Sequence, residues 1–404
     1  SAQCVTGLIV VDTGTRLSLF GQMVVLVLIQ LGGIGITTFS VYLFFYLRIG
    51  VGIRGRWMIQ ETLLHAPVGS LRELIREILL LTLFIEGIGA LMISSVLIPQ
   101  LGFWPGLYAS LFHSISAFCN AGFSLFPDSL IGYRSHPLIN LTIMGLIVSG
   151  GIGFLVIREL LAFWPWRQGS ARKRLSLHSK VVLLTSAILI AGGALLIGLL
   201  EFNAAFAEMP FAEGLWTALF QSITARTAGF NTIDLNLLRL PTLFLLTFLM
   251  FIGASPGSAG GGVKTTTLAL FIAILHSRLK GSPHTNIFHR TIPDEAITKT
   301  LSLVMLALLL IGGAIFALLT VQLPGPATEQ TLPGYMVYTF EAVSAFATVG
   351  LSMGATSQLL PAAKVVIILL MFVGRVGLLT VAFSIARRTR HDAVRYGQEN
   401  IMIG

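Results

Sequence analysis

Three stretches of the chain repeat one pattern: Phe112–Phe126 reads FHSISAFCNAGFSLF, Phe220–Asp234 reads FQSITARTAGFNTID, and Phe340–Gly354 reads FEAVSAFATVGLSMG. The opening Ser1–Gly14, SAQCVTGLIVVDTG, matches the last half of the same unit. Each full copy carries an aromatic, a polar or acidic residue, a Ser or Thr, an Ala, and then a glycine followed by Phe or Leu. The four glycines are Gly7, Gly122, Gly229 and Gly350. A second glycine motif begins 24 to 28 residues after each: GGIG at 32–35, GGIG at 150–153, GASPGSAGGG at 253–262 and GRVG at 374–377. Any one of these alone reads as a loop turn or a close helix crossing of small residues. Four at equivalent positions are an internal repeat.

The surroundings of the repeat are apolar. Of 404 residues, 55% are hydrophobic and 11% charged, against about a quarter charged in a soluble domain. The mean hydropathy is +0.87. That composition leaves no room for a soluble catalytic or nucleic-acid-binding domain and predicts a polytopic helical membrane protein. Apolar runs long enough to cross about 30 Å of hydrocarbon begin near residues 18, 78, 137, 180, 242, 297 and 362, which predicts seven crossings. The net charge of +9 is concentrated: five Lys and Arg in 48–78, six in 158–180, four in 276–299 and four in 387–395. The positive-inside rule makes those segments cytoplasmic, with the N-terminus outside and the C-terminus inside the plasma membrane. Anionic membrane lipids are the simplest partners of these basic stretches.

Between certain spans lie shorter apolar helices, 105–118, 211–225 and 333–346, each ending at a repeat turn. Too short to cross, they read as re-entrant half-helices, tolerated at depth only where protein or water surrounds the broken backbone. The expected fold is all-α: four pseudo-repeated units of span, pore helix and span around one central pore. The units are 1–47, 74–162, 179–276 and 296–386, followed by a cytoplasmic tail at 387–404. The first unit is expected to be an N-terminally truncated copy, whose outer span and half-helix would precede Ser1.

A pore of this kind points to a cation. An ion leaving water needs replacement oxygens, which a filter supplies as backbone carbonyls aimed at the axis. Aiming successive carbonyls inward demands angles that glycine takes without steric cost. The candidate ion-binding residues are therefore Val5, Thr6 and Gly7; Asn120, Ala121 and Gly122; Thr227, Ala228 and Gly229; and Thr348, Val349 and Gly350. Half-helix dipoles add negative potential at the cavity. Gly253–Val263 cannot remain helical, because it places a proline and five glycines at mid-span depth. It resembles a phosphate-binding loop only loosely, since Val263 separates Gly262 from Lys264 and no strand precedes it.

The runs SITARTAGFNT, MFIGASPGSAGGGVKTTT (250–267), SAFATVGLS (344–352) and MFVGRVGLLT (371–380) resemble the Trk/Ktr/HKT superfamily of potassium transporters across every span and re-entrant loop. Length and the terminal NIMIG favour the Ktr branch, with a TrkH-type subunit the alternative. The resemblance implies gated potassium uptake, potassium preference from glycine at Gly7, sodium stimulation with sodium as a second ion, and a homodimer. It also implies a cytoplasmic KtrA-like ring that binds ATP or ADP, so that no nucleotide binds this chain. It makes an intramembrane gate of Gly253, Ala254, Ser255, Pro256, Gly257, Ser258, Ala259, Gly260, Gly261 and Gly262, flanked by Lys264.

Arg375 lies within the last span, where an unpaired charge costs at least a few kcal/mol. It is expected under the filter, repelling cations and donating hydrogen bonds to the carbonyls of that loop; a residue snorkelling near a span end is the alternative. Glu86 reads as the one acid within an apolar run, paired with a polar or basic neighbour between units. Arg226 and Glu341 are expected to brace half-helices. Asp12, Asp128 and Asp234 lie after their turns, where they either concentrate cations at the mouth or are ordinary solvated loop acids. The dispersed histidines and two cysteines predict no metal centre beyond the transported ion, and no enzyme active site. A secondary transporter with inverted repeats and a non-conducting structural subunit remain the other classes.

Overall fold

A computed structural model describes residues 1–34, 71–162, 175–323 and 332–378. The end of the first unit beyond residue 34 with the basic segment up to residue 70, the basic linker 163–174, residues 324–331, the end of the fourth unit and the predicted tail lie outside the described residues. Helices account for nearly all the described secondary structure: α1 (Leu19–Ile34), α2 (Leu71–Leu101), α3 (Phe103–Phe118), α4 (Pro137–Ile152), α5 (Phe154–Ala162), α6 (Leu177–Glu201), α7 (Phe211–Thr224), α8 (Leu240–Phe251), α9 (Thr265–Leu279), α10 (Asp294–Gln322), α11 (Leu332–Ala347) and α12 (Pro361–Val376). A two-stranded hairpin, β1 (Asn286–Ile287) and β2 (Arg290–Thr291), connects α9 to α10.

Every predicted span start falls on a helix, but the helices are of two kinds. The segments Arg76–Leu101, Leu177–Glu201 and Asp294–Gln322 are each long and apolar enough to cross a bilayer. They expose large apolar side chains such as Leu91, Leu199 and Phe316, surface that suits lipid and not water. The helices that follow the turns are shorter. α4 stops at Ile152, and α5 leaves at a bend of 102°. α8 stops at Phe251 and the chain resumes as a helix only at Thr265, while α12 stops at Val376.

The breaks have a local cause. Gly153 (φ 94°, ψ 142°) and Gly377 (φ 94°, ψ 136°), the last glycines of GGIG and GRVG, share a conformation that L side chains rarely adopt. The starts are equally regular. α4, α8 and α12 each carry proline in the first turn, at Pro137, Pro241 and Pro361, where its missing N–H costs nothing.

The half-helices α3, α7 and α11 match the predicted spans to within two residues at each end. Each lies against the preceding long helix and buries one aromatic anchor completely, Phe112, Phe220 and Phe340. Around them two apolar clusters form, one on α2, α3 and α4 and one on α8, α10, α11 and α12. The carbonyl ends of the half-helices are thereby held at one depth in the protein interior.

Candidate ion pathway

The half-helices end in the same way. In the second repeat, Asn120 N donates to Ala117 O (3.1 Å) and Ala121 N to Ser116 O (2.8 Å), with Asn120 left-handed at φ 56°. That is a Schellman cap, whose left-handed position usually holds glycine. The fourth repeat reproduces it with Thr348 N to Ala345 O (3.1 Å), Val349 N to Ser344 O (2.8 Å) and Thr348 at φ 53°. The first does too, with Val5 N to Ala2 O and Thr6 N to Ser1 O, both 3.0 Å, and Val5 at φ 54°. The third turn is one residue shorter: Ala228 N and Gly229 N both reach Thr224 O, and Thr227 has φ 76°. A β-branched residue in the left-handed region is a genuine outlier. Three of them at equivalent positions store strain of about 1–3 kcal/mol each.

Two residues on, Gly7, Gly122, Gly229 and Gly350 again have positive φ, between 68° and 94°. The four turns meet. A Cβ built on Gly7 would lie 2.5 Å from Ala121 O, and one on Gly122 would lie 2.7 Å from Ala228 O. One on Gly229 would strike Val349 O, and one on Gly350 would strike Thr6 O. The contacts run from the first turn to the second, third and fourth and return to the first. Ala121, Ala228, Val349 and Thr6 thus present carbonyls beside the neighbouring glycine, and no side chain fits between them.

Behind the turns stand hydroxyls at equivalent positions. Ser116 Oγ donates to Phe123 O (2.7 Å) and Thr224 Oγ1 to Phe230 O (2.8 Å). In the other two repeats the hydroxyl accepts instead: Gly350 N donates to Ser344 Oγ and Gly7 N to Ser1 Oγ, each at 3.1 Å. A second tier lies one turn earlier. His113 contacts Ser124 Oγ (3.0 Å), and Glu341 accepts from Ser352, its exact equivalent in register, and from Thr356 Oγ1 (2.7 Å). Glu341 thus braces its half-helix against the segment that follows the turn, as expected. Arg226 braces the third half-helix through Nη2 to Ser186 Oγ on α6 (3.0 Å).

The segment after α8 lies directly beneath the ring, toward the second-span motifs. It turns back on itself, with Gly253 N on Val263 O (2.9 Å), Ala254 N on Gly261 O (3.3 Å) and Ser258 Oγ on Ser255 O (2.6 Å). Gly261 N donates to Thr348 Oγ1 (2.9 Å), and a Cβ on Gly260 would strike Thr227 Oγ1. Its other side is tied to the second repeat: Ser255 N to Gly151 O (3.0 Å), Ala259 N to Gly150 O (3.1 Å) and Phe154 N to Gly257 O (3.0 Å). Pro256 O lies where a Cβ on Gly153 would fall. Ser255 Oγ is 2.9 Å from Thr265 Oγ1, and Lys264 Nζ donates to Gly260 O at 2.8 Å. Gly262 turns with φ 71°.

Arg375 reaches across this layer. Its Nη1 donates to Ala259 O of the loop and its Nη2 to Gly32 O on α1. One guanidinium thus joins the third repeat's loop to the first repeat's glycine motif. The hydrogen bond to a loop carbonyl is the contact expected from the sequence; the second, to Gly32, is not legible there. Glu86 pairs as expected with a polar neighbour of another repeat, accepting from Gln30 Nε2 at 3.1 Å. Asp12 and Asp234 accept from Thr15 N (2.7 Å) and Asn236 N (3.0 Å) in their own loops. Glu86 is not the only acid at a span. Glu201 closes α6, is fully buried, and accepts from Arg239 N (3.0 Å) and Thr242 Oγ1, joining α6 to the start of α8. Its place at the end of an apolar run disguises it as a loop acid.

A family model described as "Cation transport protein", the TrkH family, matches residues 1–394. The chain belongs to the TrkH family. Over its whole length it is 40% identical to the Ktr system potassium uptake protein B of Bacillus subtilis, covering 88% of that protein. It is 36% identical, again over its whole length, to the potassium/sodium uptake protein NtpJ of Enterococcus hirae, covering 88% of it. Among solved structures, the potassium transporter TrkH from Vibrio parahaemolyticus superposes with a TM-score of 0.72 over 95% of this chain and 76% of that one, at 20% identity. That likeness bears on the fold alone. Within the TrkH family the chain is of the KtrB type, a membrane transport protein and not an enzyme.

Proposed function

We propose that this chain takes up potassium across the plasma membrane through a gated pore built by its four repeats, with the carbonyls of the turns as a selectivity filter. The observation that carries the reading is the closed circuit of turns, in which each glycine adjoins the carbonyl of the next. A dehydrated cation at that ring exchanges water for carbonyl oxygens without any side-chain chemistry. Left-handed Val5 and Thr348 support the same reading, since strain of that kind persists where function requires the backbone geometry. An inside-negative potential supplies about 2.3 kcal/mol per charge per 100 mV, enough to accumulate the ion without hydrolysis on this chain.

In this reading the Gly253–Gly262 loop obstructs the path below the filter and Arg375 holds it there. Opening requires the loop to leave Thr348, Gly150, Gly151 and Arg375 together. We further propose sodium stimulation, in keeping with the name of the Enterococcus relative, a homodimer, and regulation by a cytoplasmic ring of nucleotide-binding subunits. The C-terminus is cytoplasmic by the distribution of Lys and Arg.

The test is potassium uptake and growth at low external potassium in transport-deficient cells expressing the protein, alongside its Gly229→Ser and Gly350→Ser variants. Rescue by the parent, weakened or lost in both variants at equal membrane abundance, is expected. Rescue indifferent to both glycines removes the filter.

A further inference from the structure

Far from the ring, at the opposite end of the third repeat, α6, α9 and the hairpin border an open cavity of about 460 Å³ that the transport pathway does not use. Its volume falls in the ordinary range for a small-molecule site, about 300–1,000 Å³. The floor is apolar and comes from two helices: Val181 and Leu184 on α6, Ile272 and Ala273 on α9. Leu184 and Ile272 are about half exposed and continue outward into Ile188 and Leu275 on the surface that suits lipid, so the floor opens sideways to the bilayer.

The rim at the span ends is polar and lacks acids. Lys280, His276 and His284 line it, and among the described residues Lys280 has no carboxylate partner. The rim is also built firmly. Ser277 Oγ and Ser282 Oγ both donate to His284 O, at 2.7 and 2.9 Å, and fix the turn after α9. The lip is Phe288, which with His289 makes the hairpin turn at φ 49° and 60°. Two left-handed residues in succession normally call for Asn-Gly. Here the strain holds an aromatic ring at the mouth of the cavity.

We infer that this cavity is a binding site for one anionic glycerophospholipid, with its phosphate at Lys280 and the histidine-bearing rim and an acyl chain along Val181, Leu184, Ile272 and Ala273. A cationic, donor-rich rim over an apolar floor at the depth where a span meets the headgroups matches that amphiphile. A free phosphate would use the rim and leave the floor open; a neutral lipid would use the floor and leave Lys280 without a counter-charge. Because α9 begins one residue after Lys264, a lipid wedged against it also bears on the helix that carries the loop.

Native mass spectrometry of the full chain, solubilised with equimolar phosphatidylglycerol and phosphatidylcholine, tests this separately from transport. The parent is expected to retain one phosphatidylglycerol in preference to phosphatidylcholine. Lys280→Gln, an exposed position that leaves the fold intact, is expected to lower that retention about fivefold. Ala273→Phe, which fills the floor and keeps the charge, is expected to abolish retention of either lipid there. Equal retention of the two lipids by the parent, retention unchanged in both variants, or release of phosphatidylglycerol by millimolar inorganic phosphate would each overturn the inference.

Discussion

The turns at the centre of the molecule and the glycine motifs just beneath them are both fourfold repeats, yet only in the first set do all four copies take up equivalent places. Three of the four turns close with the same Schellman hydrogen bonds, and that of the third repeat, one residue shorter, still brings Gly229 beside Val349 O. In the layer beneath, three repeats behave alike and one departs. A Cβ on Gly32, Gly150 or Gly374 would strike a carbonyl at the start of its own repeat's turn, Gln3 O, Phe118 O or Phe346 O. These glycines let the second span lie against the half-helix. In the third repeat the equivalent Gly253 meets Gly261 O instead, so the chain's own loop occupies the place of the packed helix. Uniformity suits a site that must surround an ion evenly. A single asymmetric element suits an obstruction, since one moving part opens a path that four would have to open in concert.

The comparison can be broken first at its packing. Gly374→Val forces a branched side chain against Phe346 O and is expected to lower stability by about 1–3 kcal/mol and to abolish uptake. Thermal unfolding in detergent checks it, with Gly145→Ala as control. Gly145 has open space around it and is in a helix, so alanine there should be neutral or stabilising by about 1 kcal/mol. The next largest effect belongs to Arg375. Removing its charge-assisted bond to the loop, worth about 1.5–3 kcal/mol, should raise cation flux about tenfold or more in Arg375→Gln, measured as tracer uptake into proteoliposomes. Thr348→Ala removes the neutral bond from Gly261 N, about 1 kcal/mol, and should raise flux about fivefold in the same assay. Smallest is Asp234→Asn, an exposed loop acid that the proposed topology puts on the outer side, which should change initial uptake by no more than about twofold, and only at low ionic strength.

The half-helices and their turns were legible because four copies of one pattern carry information that a single copy does not. Their boundaries came within two residues for the same reason. The left-handed Val5, Thr227 and Thr348 were not legible as such, since propensity argues against a β-branched residue there and only the assembled ring supplies the compensation. The letters of GGIG likewise do not say which glycine bends and which touches; the structure divides the labour, with Gly150 in contact and Gly153 at the bend. The loop's position could be argued from proline and glycine in an apolar run. Its partners Gly150 and Gly151, about a hundred residues away, could not, because those contacts run through backbone atoms that every residue type shares. Glu201 was missed for a different reason: its partners, Arg239 N and Thr242, are assembled only when α8 packs on α6.

The most direct test of the division between ring and loop is one proteoliposome experiment that reads both total cation flux and the potassium-to-sodium permeability ratio for the parent, Gly350→Ser and Arg375→Gln. The account predicts that the two variants separate: Gly350→Ser lowers the ratio, whereas Arg375→Gln raises flux and leaves the ratio unchanged. A lowered ratio in Arg375→Gln, or an unchanged ratio with full flux in Gly350→Ser, would contradict it.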